Sequence, residues 1–406
     1  MDKGEFYRNA RADRTGPMHG VRVIEATTAW AGPMVGCVLA DLGCDVVRID
    51  LPGSAGSSWP PFLPGTDVAL SQQTVNRNKR SVTIDLHKPE GRDLFLHLVA
   101  GADLVVENFK PGTLAGWGVG YEHCKAVKDD IVYVSVSGWG QFGPWSERAG
   151  YDPAALAAGG WMSLNGAPDG PPTKAPTFLA DDLAGLHAAL GALAALHHRN
   201  ATGEGQHVDI ALLDALLFQC NGLLTLGALG QNIPRMGGEV LASSPTNSYA
   251  CSDGHLYLAI ILDRHWQTLC GLMGRPELAT APGFATNLER VANRDAVNEA
   301  VATWCAGGTV AERLGAIQDA GIAAARVNSF TDAAAEPHVL ERDMLQPTVI
   351  GSGQEVPLTG PAAKFSRTPT KVRRAAPAAG DDTDEVLDEA GIDADQRAKL
   401  RAAGVI

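Results

Sequence analysis

The chain has 406 residues, 45% of them hydrophobic and 19% charged, with a formal net charge of −13. That length exceeds one small core and implies two domains, and the composition is that of a well-buried globular protein. The acidic balance excludes nucleic acid and anionic membrane as partners, since both need basic footprints; it leaves a local positive pocket for a small anion possible. Seven scattered cysteines without a C-x-x-C pair predict free thiols in a reducing, cytoplasmic compartment, with neither zinc nor any other metal site. No signal-peptide core opens the chain, and the apolar stretch Ile210–Leu229 is interrupted by Asp214, Gln219 and Asn221, as in a buried helix.

In chain order, Val21–Glu25 reads as a strand, followed by a helix opening at Gly32-Pro33 and stopping at Gly43. Asp45–Asp50 is the next strand, then a Gly/Pro/Ser loop over residues 52–65, then a strand at Ser81–Leu86. A helix over Pro89–Val99 leads into the strand Asp103–Asn108, and Ile131–Ser137 closes the series. Alternating strand and helix signals with mostly apolar strands predict a Rossmann-like α/β domain with a parallel sheet covered on both faces. Ligands of such sheets bind beyond the carboxyl ends of the strands, here the loops after Glu25, Asp50, Glu107 and Ser137. Two long helices are expected at about 179–198 and 207–228. The pattern then turns to strand and loop, and a smaller α/β domain is placed at 240–328, with linkers at about 229–239 and 329–350. The large domain is assigned to 1–228 plus 333–406, the latter including an extended strap at 366–379 and a terminal helix pair near 382–403.

Three motifs bear on chemistry. Gly138-Trp-Gly140-Gln-Phe-Gly143 matches a dinucleotide fingerprint literally, but Pro144 follows at once and no helix signal opens there, so it carries no nucleotide assignment. Glu107-Asn-Phe-Lys-Pro-Gly112 ends a strand in a carboxylate and an amide, then offers an aromatic ring and a cation: Asn108 to orient a ligand amide, Phe109 to stack, Lys110 to neutralise phosphate. Asp181-Asp182 opens an Ala/Leu-rich segment at helical spacing, where an acid can cap free N–H groups and stay ionised in the positive end of the helix dipole. Such a carboxylate is either a cap or a nucleophile.

Taken together, Val23-Ile-Glu-Ala…Ala31-Gly-Pro33, Asn76-Arg-Asn-Lys-Arg-Ser-Val-Thr-Ile-Asp85, Val106–Gly112, Ser137–Pro144, Gly150-Tyr-Asp152, Asp181…His187 and Thr202–Asp209 occur in one order. In this the chain resembles the family III coenzyme A transferases, a group that includes formyl-CoA transferase, carnitine CoA-transferase and the α-methylacyl-CoA racemases. The resemblance implies an interlocked homodimer, no permanently bound cofactor, and an acyl-CoA thioester and a carboxylic acid as substrates. It makes Asp181 the nucleophile, working through mixed anhydrides and an aspartyl-CoA thioester. It also implies CoA or substrate contacts at Trp30, Ala31, Leu51, Arg80, Ile84, Asn108, Phe109, Lys110, Gly150 and Tyr151. Many members carry an Arg for the CoA phosphate where this chain has Gly116, which turns attention to Lys110 or Arg80. A racemase on the same scaffold is the alternative, but racemases carry His where Tyr151 stands, and a phenol with a pKa near 10 is a poor acid/base partner at neutral pH. A CoA-binding protein without catalysis is the third reading, opposed by the presence of Asp181. Trp30, where formyl-CoA transferases carry Gln, points to a bulkier or more apolar acyl group.

Overall fold

Six short apolar runs come together as one parallel sheet. In the computed structural model, which describes residues 1–53 and 59–406, these are β1 (Arg22–Ala26), β2 (Asp45–Asp50), β3 (Arg80–Thr83), β4 (Leu104–Glu107), β5 (Val132–Ser137) and β6 (His207–Ala211). Their order is β3-β2-β1-β4-β5-β6, with every neighbouring pair parallel. This is the doubly wound arrangement, and its strand order reverses between β1 and β4. Residues 54–58 of the predicted 52–65 loop lie outside the described residues.

The central strands are rich in buried Val, Ile and Leu because both faces are covered. Helix α1 (Ala31–Asp41) and α3 (Pro89–Ala100) follow β1 and β3, with α2 (Leu70–Asn76) between β2 and β3. One core cluster gathers Ile24, Val47, Val82, Phe95, Leu98, Val105 and Tyr133 with Leu387 of the C-terminal helix Thr383–Glu389.

The sequence reading is corrected at residues 207–228. These form no long helix: His207–Ala211 is the sixth strand, followed by two short helices, Leu212–Phe218 and Leu223–Ala228. The Val-Asp-Ile-Ala alternation pairs residue by residue with β5, and sheet pairing overrides the Leu-rich sequence after it. The series therefore closes one strand later than Ser137. The helix expected at 179–198 extends over Leu179–Thr202 and stops at Gly203, which adopts a left-handed φ of 81°. By length and composition this helix could cross a membrane, yet its Ala/Gly face packs on α1 and β5.

The chain divides into two compact units: Met1–Trp161, Ala175–Leu224 and Pro337–Ile406 form the first, Met162–Lys174 and Thr225–Glu336 the second. Met162–Lys174, assigned above to the large domain, thus belongs with the smaller unit. That unit holds the antiparallel sheet β7 (Thr246–Cys251), β8 (Gly254–Ala259) and β9 (Ala324–Arg326), over a core centred on Trp266, Leu256 and Val301. Three of its helix starts are closed by reciprocal capping boxes, Thr286 with Glu289, Thr309 with Glu312 and Ser329 with Asp332. In the first unit, β10 (Leu345–Val349) and β11 (Glu355–Thr359) form a hairpin before the strap.

Candidate active site

The reversal of strand order leaves a crevice between the carboxyl ends of β1 and β4, and the sequence fills it with polar groups. Asn108 reaches across it: its Oδ1 accepts from the Thr28 N–H at 2.8 Å, and its Nδ2 donates to the Thr28 carbonyl at 2.8 Å. Read from sequence as orienting a ligand amide, Asn108 is engaged in joining the two loops. The approach is close enough that a Cβ on Gly32 would lie 2.6 Å from the Asn108 Cγ.

From Thr28 the rim continues through Trp30 to the start of the long helix, α5 (Leu179–Thr202). The Trp30 Nε1 donates to Asp182 Oδ1 at 2.7 Å, and its ring lies 5.2 Å from that of Phe178. Phe178, the residue before the helix, makes no side-chain cap. Asp152 does so from another element, its Oδ1 accepting from the Ala180 N–H at 2.7 Å. Asp152 opens the helix α4 (Asp152–Ala158), with Tyr151 immediately before it and exposed. Glycines let these loops meet, since a Cβ on Gly138 would come within 2.6 Å of Gly150. The Gly138–Gly143 run leads into turns and no helix, as Pro144 dictates.

Asp181 stands in the first turn of α5, half-buried, among these converging groups. The two neighbouring acids differ. Asp182 is held by Trp30, and burial pushes its carboxyl up, partly offset by the Trp30 N–H and reinforced by the charge of Asp152. Asp182 therefore buttresses Trp30.

The remaining residues named from sequence fall into three groups. Trp30, Ala31, Asn108, Phe109, Gly150 and Tyr151 lie at the carboxyl-end rim, and Lys110 follows Phe109 as an exposed cation 3.2 Å from Glu147. Leu51 sits exposed just past β2. Ile84 follows β3, but its side chain is wholly in the core and its N–H bonds the Asp50 carbonyl. Arg80 is a correction: it begins β3, at the amino end of the sheet, and is bound by Asp45 at 2.6 Å and Glu389 at 3.0 Å. A residue at a strand's start faces away from the ligand-binding edge, so Arg80 cannot stand in for the missing Arg.

The rest of the Asn76–Arg80 run is not a solvated turn either. Lys79 is fully buried, its Nζ 2.7 Å from Glu25 Oε2 and donating to the Pro33 carbonyl and Asn76. Burial lowers its pKa against the pull of Glu25. Only glycine fits above this pair, because a Cβ at Gly36 would lie 1.5 Å from Glu25 Oε2. Arg77 pairs with Asp41 at 2.6 Å, and Asn78, at φ 63°, accepts from the N–H groups of Arg373 and Arg374 in the strap.

Sequence reasoning missed His87 and Trp117. Trp117 lies between His87, at 4.5 Å, and Phe109, at 5.2 Å, giving an aromatic wall on the carboxyl-end side near Gly116, where an added Cβ would meet nothing within 4 Å. Their signal was present in the loop positions after β3 and β4.

A doubly wound sheet with polar groups gathered at its switch-point loops is the arrangement of a ligand-binding α/β protein. Comparison with known proteins specifies the class: residues 18–383 match CoA-transferase family III, and the chain belongs to that family. The succinyl-CoA:mesaconate CoA-transferase of Haloarcula hispanica is 36% identical, covering 93% of this chain and 97% of that protein. The succinyl-CoA–D-citramalate CoA-transferase of Chloroflexus aurantiacus is 34% identical, covering 96% and 98%. Among solved structures, a CAIB/BAIF family protein from Brucella suis superposes with a TM-score of 0.81 at 34% identity, covering 93% of this chain and 100% of that one. The protein is therefore a CoA-transferase, moving coenzyme A between an acyl-CoA and a carboxylic acid.

Proposed function

We propose that the enzyme transfers CoA from succinyl-CoA to a second, dicarboxylic acid, with Asp181 as the covalent nucleophile. The donor is inferred from the relatives, whose names pair succinyl-CoA or succinate with mesaconate, D-citramalate, glutarate or L-malate. The observation that carries the mechanism is the position of Asp181: the first turn of α5, where the helix dipole favours an ionised carboxylate, among loops from three strand ends.

In this reading an Asp181 carboxylate oxygen attacks the thioester carbonyl, the C–S bond breaks, and CoA leaves as thiolate. The thiolate attacks the aspartyl carbonyl of the mixed anhydride, giving aspartyl-CoA thioester and the free donor acid. The acceptor carboxylate then attacks that thioester, expelling the thiolate and forming a second mixed anhydride, and the thiolate attacks the acceptor's acyl carbonyl, releasing the new acyl-CoA and the Asp181 carboxylate. Each step exchanges a carboxylate and a thiolate at an acyl carbon, which divides one difficult exchange into easier ones.

The racemase reading gains no support, since Tyr151 is an exposed phenol in place of imidazole. A homodimer is part of the proposal: Leu186 and Leu190 of α5 and Phe218 present an exposed apolar face in the first unit. So is a cytoplasmic setting, consistent with seven free cysteines.

The test is to incubate the enzyme with succinyl-CoA and each of mesaconate, citramalate, glutarate and malate, follow new thioesters by mass spectrometry, and trap the intermediate with hydroxylamine. The expected adduct lies on Asp181. Modification of another residue, or full activity in Asp181→Ala, overturns the mechanism.

A further inference from the structure

One buried acid near the rim has no part in the covalent chemistry. Glu107 ends β4 directly before the loop carrying Asn108, Phe109 and Lys110, and is 5% exposed. Its Oε2 accepts from the Phe109 N–H at 2.8 Å, so the carboxyl group holds the first turn of that loop from below. Ser135 stands opposite Glu107 in the β4–β5 register, and its hydroxyl favours the ionised form of that carboxyl group. The Ser135 Oγ is in turn 2.9 Å from Nε2 of His207, the first residue of the edge strand β6. Polar groups of three neighbouring strands thus reach from the sheet edge inward to the loop that faces the substrate.

The surroundings define what titrates. From β5, Tyr133 faces Glu107; from β6, Asp209 adds a like charge; and from helix Tyr121–Val127, Tyr121 stacks on His207, Cys124 lies beside Tyr133, and Glu122 lies near His207. Burial is the largest influence and pushes Glu107 up to about 7, against the Ser135 hydroxyl and the Phe109 N–H, which favour the ionised form. Burial also lowers His207.

We propose that Glu107 is a positioning residue for CoA binding: its carboxylate fixes the Phe109 amide and so sets how firmly that loop is held. The inference rests on the reading that acyl-CoA occupies the switch-point loops. A carboxylate accepts a hydrogen bond more strongly than a carboxylic acid, so the loop tightens as Glu107 ionises. Acyl-CoA affinity therefore rises with pH through neutrality, while the chemical step on Asp181 does not depend on Glu107.

The experiment compares wild type with Glu107→Gln and Ser135→Ala, measuring KM for acyl-CoA and kcat from pH 6 to 8.5. In wild type KM falls about fivefold across this range, the difference between a charged and a neutral hydrogen bond. Glu107→Gln keeps the acid-limb KM at every pH, with kcat within about twofold of wild type. Ser135→Ala moves the midpoint of the KM profile to higher pH, because it removes a neighbouring hydroxyl that favours the ionised form. A second readout needs no turnover: ¹⁹F NMR of 5-fluorotryptophan enzyme, with the Trp117 signal assigned through Trp117→Phe. That ring lies against Phe109, so a pH response lost in Glu107→Gln reports Glu107, and one that survives does not come from it. Wild-type KM and pH slope in Glu107→Gln, or a Trp117 response unchanged in that variant, overturn the inference while leaving CoA transfer intact. Failure of wild type to transfer CoA, by contrast, overturns the functional reading itself.

Discussion

The two ends of the six-stranded sheet carry similar residue types and use them differently. At the amino end, Arg80 is met by Asp45 and Glu389, Arg22 by Asp45, and Arg199 by Asp103. A cavity of about 350 Å³ opens there, lined by Arg22, Arg80, His97 and Glu389, but its arginines are answered by carboxylates of their own chain. At the carboxyl end, polar groups instead tie one loop to another: Asn108 to Thr28, Trp30 to Asp182, Asp152 to Ala180. The lesson is directional. In a parallel sheet a cation's meaning depends on whether it enters or leaves a strand, because ligands collect where the chain leaves.

Four substitutions would sharpen or break this contrast. The largest effect belongs to Asp181→Ala at the carboxyl end, where transfer should fall by about 10⁴-fold with folding intact, read by thioester exchange and by thermal unfolding. Next is Lys79→Ala beneath the crevice, which leaves Glu25 buried without its cation. It should cost about 3–5 kcal/mol of stability by urea unfolding, and a loss under 1 kcal/mol would contradict the buried-pair description. Asn108→Ala should raise KM for acyl-CoA about tenfold with little change in stability, as two hydrogen bonds joining the loops are lost. The smallest effect is Arg80→Ala at the amino end, about 1–2 kcal/mol of stability with KM for acyl-CoA unchanged. A raised KM in Arg80→Ala would erase the distinction between the two ends.

Strands β1 to β5 and the helix before Asp45 were legible because both their apolar runs and their Gly/Pro boundaries were local signals. The sixth strand was not, since His207–Ala211 becomes a strand only by pairing with β5, and the Leu-rich residues after it read as one helix. The site was legible where a motif fell at a strand's end, as with Asn108 and Phe109. It was misread at Arg80, where the motif straddled a strand's start. Ile84 was placed correctly in the chain but its side chain serves the core. Lys79 was beyond sequence reasoning: its partner Glu25 lies 54 residues away, and only the fold brings them within 2.7 Å. The helix start at Asp181 was read as capped by its own acid, whereas Asp152, distant in sequence, holds the Ala180 N–H.

Asn78 has a consequence for how the protein is made. It accepts from the strap at Arg373 and Arg374 and donates to the Lys371 carbonyl, while Asp382 takes the N–H of Ser81 on the sheet's outer strand. On a ribosome, these partners emerge nearly 300 residues after the groups they serve. The first unit must therefore wait with β3 uncovered through synthesis of the whole second unit. Its closure is a late event, available to any factor that recognises an unfinished sheet edge.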